Sequence, residues 1–286
     1  LLNKAEQQLM IPRTTLEEAL DHEISIGDIV CEENEVYPAS LYYAETTIAK
    51  KIAELKYSPS PLKKPIDVKS AILWAENKMK INFSEDQKSA INMALSNKIS
   101  IITGGPGVGK TTIIRALVEI FKAKKLSIKL AAPTGRAAKR MEEATLIKAQ
   151  TIHSLLKLKP DMTTGSFSYT KLEGDVFIID EVSMVDVSLM SFFLKALPPQ
   201  AILIFVGDPD QLPSVGPGNV LKDMIDSKVL PVAKLKTIFR QNEKSWIVYN
   251  AHKINSGQMP ELPISYDESL DFFFFESNIP QATINK

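Results

Sequence analysis

The chain has 286 residues, 44% of them apolar and 24% charged, which is ordinary for a globular protein, long enough to bury a core and to form about two domains. No apolar run approaches the roughly 18 residues of a membrane-spanning helix and no basic-then-apolar leader opens the sequence, so no membrane partner is expected. Net charge is zero but unevenly spread: residues 1–57 hold five bases and eleven acids, whereas residues 115–148 hold nine bases and three acids. The overall balance therefore gives no sign of nucleic acid, while one basic segment permits it.

Leu1, Leu2, Ala5 and Leu9 recur at helical spacing, as in a chain entered partway through a domain. A second helix is predicted from Thr14, where Thr14 and Glu17 have capping-box spacing. Asp28–Tyr37 reads as two short strands around an acidic turn. It holds the single cysteine, Cys31, which rules out an internal disulfide and fits a reducing cytoplasm. A third helix runs from about Ala39 to Leu55, with Leu41, Ile48, Ile52 and Leu55 on one face. Helix, helix, hairpin, helix predicts a small winged-helix-like α+β domain over residues 1–57. Glu32, Glu33 and Glu35 at its hairpin tip would repel phosphate, so it reads as an adaptor for a protein partner rather than a DNA reader.

Residues 58–82 combine a linker stiffened by Pro59, Pro61 and Pro65 with a helix carrying Ile72, Leu73 and Trp74. Phe83–Ile91 then opens another helix. Ser84 and Gln87 have capping-box spacing there, and the Gln87 carboxamide could equally match adenine N6 and N7.

Ile99–Thr103 is an apolar strand that runs into Gly104-Gly-Pro-Gly-Val-Gly-Lys-Thr-Thr112 and then a helix with Ile113, Leu117 and Phe121 on one face. Strand, G-x-x-x-x-G-K-T, helix is the context a phosphate-binding loop requires. Its glycines Gly104, Gly107 and Gly109 let backbone approach phosphate, and the helix N-terminus offers N–H groups and a positive dipole end. Lys110 is placed for the β- and γ-phosphates and the Thr111 hydroxyl for magnesium. The loop predicts ATP with Mg2+, held by Gly105, Pro106, Gly107, Val108, Gly109, Lys110, Thr111 and Thr112.

Further strands are predicted at Leu126–Ala132, Asp175–Ile179, Ala201–Val206 and Val232–Leu235. Each ends in polar residues: Pro133–Ala138, Asp180-Glu181, Gly207–Gln211 and Phe239-Arg-Gln241. Strands alternating with helices imply a parallel sheet with ligands at the strand C-terminal ends. Asp180 then suits a magnesium ligand and Glu181 a proton acceptor for the attacking water, while Gln211 could sense the γ-phosphate and Arg240 offset charge developing during transfer. The three histidines, His22, His153 and His252, have no zinc-ligand spacing. Trp246–Ser256 is helical, and Asp271–Phe275 reads as a buried strand.

Together these motifs resemble the superfamily 1 helicases, and most closely the RecD-like 5′-to-3′ DNA helicases. The resemblance rests on Asp86-Gln87, the Gly104–Thr111 loop, Ala132–Ala138, Thr151-Ile-His153, Ile179–Met184, Gly207–Ser214, Ile238–Gln241 and Ala251–Asn255. Leu212–Asn219 looks more like the stand-alone members than the nuclease-complex subunit. It implies an α/β fold, with a RecA-like P-loop NTPase domain over 83–262, the small N-terminal domain, and the start of a truncated second motor domain over 263–286. It also implies that Lys110, Asp180, Glu181, Gln211 and Arg240 serve catalysis, that Gln87 reads adenine, and that Thr111 and Asp180 hold the metal. Thr134, Arg136, Thr151 and His153 would touch single-stranded DNA, mainly its backbone, which makes binding sequence-independent and salt-sensitive. Without the resemblance, His153 would pass for a satisfied interior histidine. The second domain's late motifs are absent from the sequence, so a fragment is expected to hydrolyse ATP poorly. Two other readings remain: a nucleotide-gated protein-binding module, and the motor of a conjugative relaxase–helicase.

Overall fold

From Ile99 onward, alternating strands and helices close into a six-stranded parallel sheet. The computed structural model describes residues 1–160, 167–237, 245–262 and 271–273. The chain begins with helices α1 (Leu2–Leu9) and α2 (Arg13–Ile26), the antiparallel hairpin β1 (Ile29–Glu32) and β2 (Glu35–Pro38), and helix α3 (Ala39–Tyr57). Helices α4 (Val68–Met79) and α5 (Glu85–Ser96) lead into β3 (Ile99–Thr103) and α6 (Lys110–Ala123). Next come β4 (Ile128–Ala132), α7 (Gly135–Thr145), β5 (Ala149–Thr151) and α8 (Ile152–Leu156), then a small hairpin, β6 (Lys159–Pro160) and β7 (Phe167–Ser168). The remainder is β8 (Val176–Ile179), α9 (Val187–Ala196), β9 (Ile202–Gly207), α10 (Val220–Asp226), β10 (Val232–Lys234) and α11 (Trp246–Asn255).

The sheet order is β10-β3-β9-β8-β4-β5, every pairing parallel. Its central strands are continuous apolar runs because helices cover both faces. Every residue of β3, β8 and β9 is buried. Successive side chains alternate between two cores. Ile99, Ile101, Phe177, Ile179, Leu203 and Phe205 pack with α3, α8, α9 and α10; Ile102, Leu130, Val176, Ile178, Ile204 and Val206 pack with α5 and α6. Phe177 and Phe205 are fully buried, so truncating either to alanine would cost about 3–5 kcal/mol.

Helix α3 buries Ala44, Ile48, Ile52 and Leu55 in the same cluster as the sheet. By packing, the last helix of residues 1–57 thus belongs to the α/β core. The first two helices bury no residue fully.

Local expectations are corrected in three places. The Thr14–Glu17 capping box does not form: α2 starts at Arg13 on Pro12, without a side-chain cap, and Arg13 Nε donates to Glu17 Oε1 at 2.8 Å. The three-residue strand β5 joins the sheet edge beside β4 although its own sequence, Ala-Gln-Thr, carries no strand signal. Residues 271–273 are not strand. Asp271 is spent on the start of α11, accepting the Trp246 N–H at 2.8 Å and the Ser245 hydroxyl. Phe274, Phe275 and Arg240 lie outside the described residues.

Candidate nucleotide site

Because all six strands are parallel, their C-terminal ends share one edge, and that edge carries the polar signatures. The loop after β3 turns through Gly107 at φ 77° and Gly109 at φ 83°, left-handed values that favour glycine. Gly104 is needed for a different reason. A Cβ there would meet the Leu235 carbonyl oxygen at 2.9 Å, so the exit of β10 lies directly against the loop. Lys110 lies at the start of α6, and its Nζ donates to the carbonyl oxygens of Gly104 and Gly105. The lysine head thereby sits in the cradle of the loop.

A cavity of about 920 Å³ opens on this loop. It is lined by Gln87, all of Gly105–Thr112, Glu181 and Gln211, so most of the residues singled out for nucleotide chemistry come together. Ile81, Asn82 and Arg140 line it too. None of these three carries a motif signal; Arg140 alone had a hint, one turn beyond Arg136 in the basic segment.

Asp180 leaves β8 with its Oδ1 accepting the Glu181 N–H at 2.9 Å. Burial pushes its pKa up to about 6 against that hydrogen bond. The charge of Glu181 raises it further and Lys110 opposes the rise. Glu181 itself is held at φ 53°, uncommon for a residue with a side chain, and its Oε2 is buried without a partner. A strained acid with an orphaned oxygen beside a phosphate-type loop fits a site that takes up a cation or a water. Among the described residues no group of three or more His, Cys, Asp or Glu could hold a metal unaided.

Gln211 is positioned by a residue that sequence reasoning missed. The Asp208 carboxylate is almost fully buried, accepts Gln211 Nε2 at 3.2 Å and also accepts the Asp210 N–H at 3.2 Å. Asp210 in turn accepts Asn255 Nδ2 at 2.8 Å, which ties this loop to α11. Gln87 forms the capping box with Ser84: its Oε1 accepts the Ser84 N–H at 3.2 Å. Its Nε2 donates to the Val108 carbonyl at 3.5 Å, so the carboxamide braces the loop from a buried position.

The four residues expected at DNA sit at the ends of β4 and β5, which are neighbours in the sheet with Ala132 opposite Thr151. Thr134 and Thr151 are helix caps: Thr134 Oγ1 accepts the Ala137 N–H at 3.2 Å and Thr151 Oγ1 the Ser154 N–H at 3.1 Å. Arg136 and His153 are exposed, so the interior reading of His153 does not hold.

Residues 87–217 match the family described as AAA domain. The ATP-dependent RecD2 DNA helicase of Deinococcus radiodurans is 35% identical over 232 residues, which span 80% of this chain and 31% of that protein. The RecBCD enzyme subunit RecD of Mycolicibacterium smegmatis is 40% identical over 186 residues, 56% of this chain and 33% of that subunit. Over these stretches the chain is similar to RecD-type helicases. It spans about a third of the length of these curated relatives. Among solved structures, the chain is similar to the Pif1 helicase from Candida albicans, with TM-score 0.47, 22% identity, and coverage of 66% of this chain and 50% of that one. Among the described residues no helix is long and apolar enough to cross a membrane.

Proposed function

We propose that this RecD-like chain is an ATP-driven DNA motor unit. It binds Mg-ATP at the Gly105–Thr112 loop and single-stranded DNA along the ends of β4 and β5, and it couples hydrolysis to 5′-to-3′ translocation and unwinding in the protein it belongs to. The observation that carries this reading is the shared cavity of Lys110, Thr111, Glu181 and Gln211, with the β4 and β5 ends on the same sheet edge.

In this reading Lys110 leaves the loop carbonyls for the β- and γ-phosphates. Thr111 and Asp180 hold magnesium, which offsets phosphate charge when bound. Glu181 takes the proton of the attacking water, Gln211 reports the γ-phosphate from its Asp208 anchor, and Arg240 offsets charge as the phosphoryl group departs. Gln87 supports the loop and faces adenine. Thr134, Arg136, Thr151 and His153 meet the DNA backbone, which carries no base information. Such a motor works in the cytoplasm, where its one cysteine needs no oxidising partner.

The test is fluorescence anisotropy with labelled single-stranded oligonucleotides of two unrelated sequences, over a salt series. Equal affinities that fall with salt and weaken in Arg136→Ala are expected. ATP binding without any single-stranded DNA affinity would instead favour a nucleotide-gated protein-binding module.

A further inference from the structure

Arg140 has no task in the reading above. It is exposed on α7 and lines the same cavity as the phosphate-type loop, Glu181 and Gln211. Among the described residues no carboxylate pairs with it, whereas its neighbour Lys139 pairs with Glu143 at 4.0 Å. The helix beneath it is fixed: Met141 is buried in the core that holds Ile113, Ile114 and Leu117 of α6. A smaller adjoining cavity of about 220 Å³ is lined by Thr111, Thr112 and Arg115 together with Ala144, one turn along α7 from Arg140. The 140/144 stripe of α7 therefore runs beside the first turn of α6. That turn is where unsatisfied backbone N–H groups favour an anion.

Among the described residues, the cations lining the main cavity are Lys110 and Arg140. Lys110 is engaged with the Gly104 and Gly105 carbonyls. An arginine left without a carboxylate at the rim of a phosphate-type cavity suits one ligand class above others. Its planar fork matches two phosphate oxygens at once.

We propose that Arg140 is a phosphate-binding residue of this site, taking non-bridging oxygens of the bound nucleoside triphosphate from the α7 side. The inference rests on the cavity being a nucleotide site. It predicts that nucleotide affinity depends on a residue outside the loop, on a helix that also carries Arg136.

The test is titration calorimetry of the full chain with Mg-ATP and with adenosine, on the unaltered protein, Arg140→Ala, Arg140→Lys and Lys110→Ala, each with a melting curve of the ligand-free protein. Arg140→Ala should weaken Mg-ATP by at least about tenfold, the loss of one charge-assisted contact. Arg140→Lys should recover part of it, while adenosine affinity and the melting curve stay unchanged. Unchanged Mg-ATP affinity in Arg140→Ala, beside a clear loss in Lys110→Ala, would overturn the assignment and leave the nucleotide reading intact. An equal loss for adenosine, or a lowered melting curve, would also overturn it. No binding by the unaltered protein, or full binding by Lys110→Ala, would bring down the nucleotide reading itself.

Discussion

His252 lies against Gly105 so closely that a Cβ added to the glycine would come within 2.9 Å of the imidazole Cε1. Helix α11 is thereby seated on the phosphate-type loop, and the buried His252 Nε2 has no partner there. Gly105→Ala should force the ring aside and lower stability by about 1 kcal/mol, with His252→Ala restoring the difference in the double variant. Gly104→Ala should cost more, about 2–3 kcal/mol, because a Cβ there would meet the backbone carbonyl oxygen of Leu235 at 2.9 Å as well as the Val108 Cγ2 methyl at 2.8 Å, and the carbonyl cannot swing aside as a side-chain tip can. Chemical denaturation of the four variants checks the order.

Asp180 provides a pH signature of the magnesium-free protein. Its folded pKa of about 6 lies above the ordinary 3.8, so between those values the folded state holds more protons than the unfolded one. Stability from this group is therefore present at low pH and lost as pH rises through about 6. Asp180→Asn should make the ligand-free protein more stable at pH 7 by up to about 3 kcal/mol, and the gain should vanish near pH 4. Urea melts across that range read both ends.

Asp86 works in the other direction. Burial disfavours its charge, but hydrogen bonds from Ser84, from the N–H groups of Thr237 and Lys236, and from the Thr237 hydroxyl outweigh it and hold the carboxyl well below the usual range. The two backbone contacts are 2.9 and 2.8 Å and fasten the chain after β10 to the start of α5. Its stabilisation is present above pH 4 and lost as pH falls further. Asp86→Ala should cost about 1–3 kcal/mol at neutral pH, and Asp86→Asn less, since one oxygen acceptor remains. Denaturation at pH 7 and pH 3 should show the penalty shrinking in acid.

Thr134 and Thr151 separate a structural from a ligand role. Each caps a helix, so Thr134→Ala or Thr151→Ala should lower stability by about 1 kcal/mol, and serine should restore it. If the hydroxyls also meet DNA, as proposed, the alanine variants should weaken oligonucleotide binding while their serine counterparts do not.

Much of the site is legible in sequence because its parts are local. The Gly104–Thr112 loop, the Ser84–Gln87 box and Asp180-Glu181 each lie within ten residues, next to strands whose apolar runs announce burial. What escapes sequence reading depends on contacts between distant segments. Arg140 reaches the cavity only because α7 packs beside α6. Asp208 matters because its carboxylate, buried by the sheet, turns back to Gln211. The edge strand β5 exists through pairing with β4, not through its own residues. The Thr14–Glu17 pattern fails because Pro12 starts the helix earlier and Arg13 takes Glu17.

The central claim is that the loop before Lys110 cradles a triphosphate, with Asp180, Glu181 and Gln211 serving the same pocket. Calorimetric titration of the chain with ATP, with and without magnesium, tests it most directly. One binding event that strengthens with magnesium and is lost in Lys110→Ala is the expected result. No heat of binding in the unaltered protein, or the same isotherm in Lys110→Ala, would contradict the account.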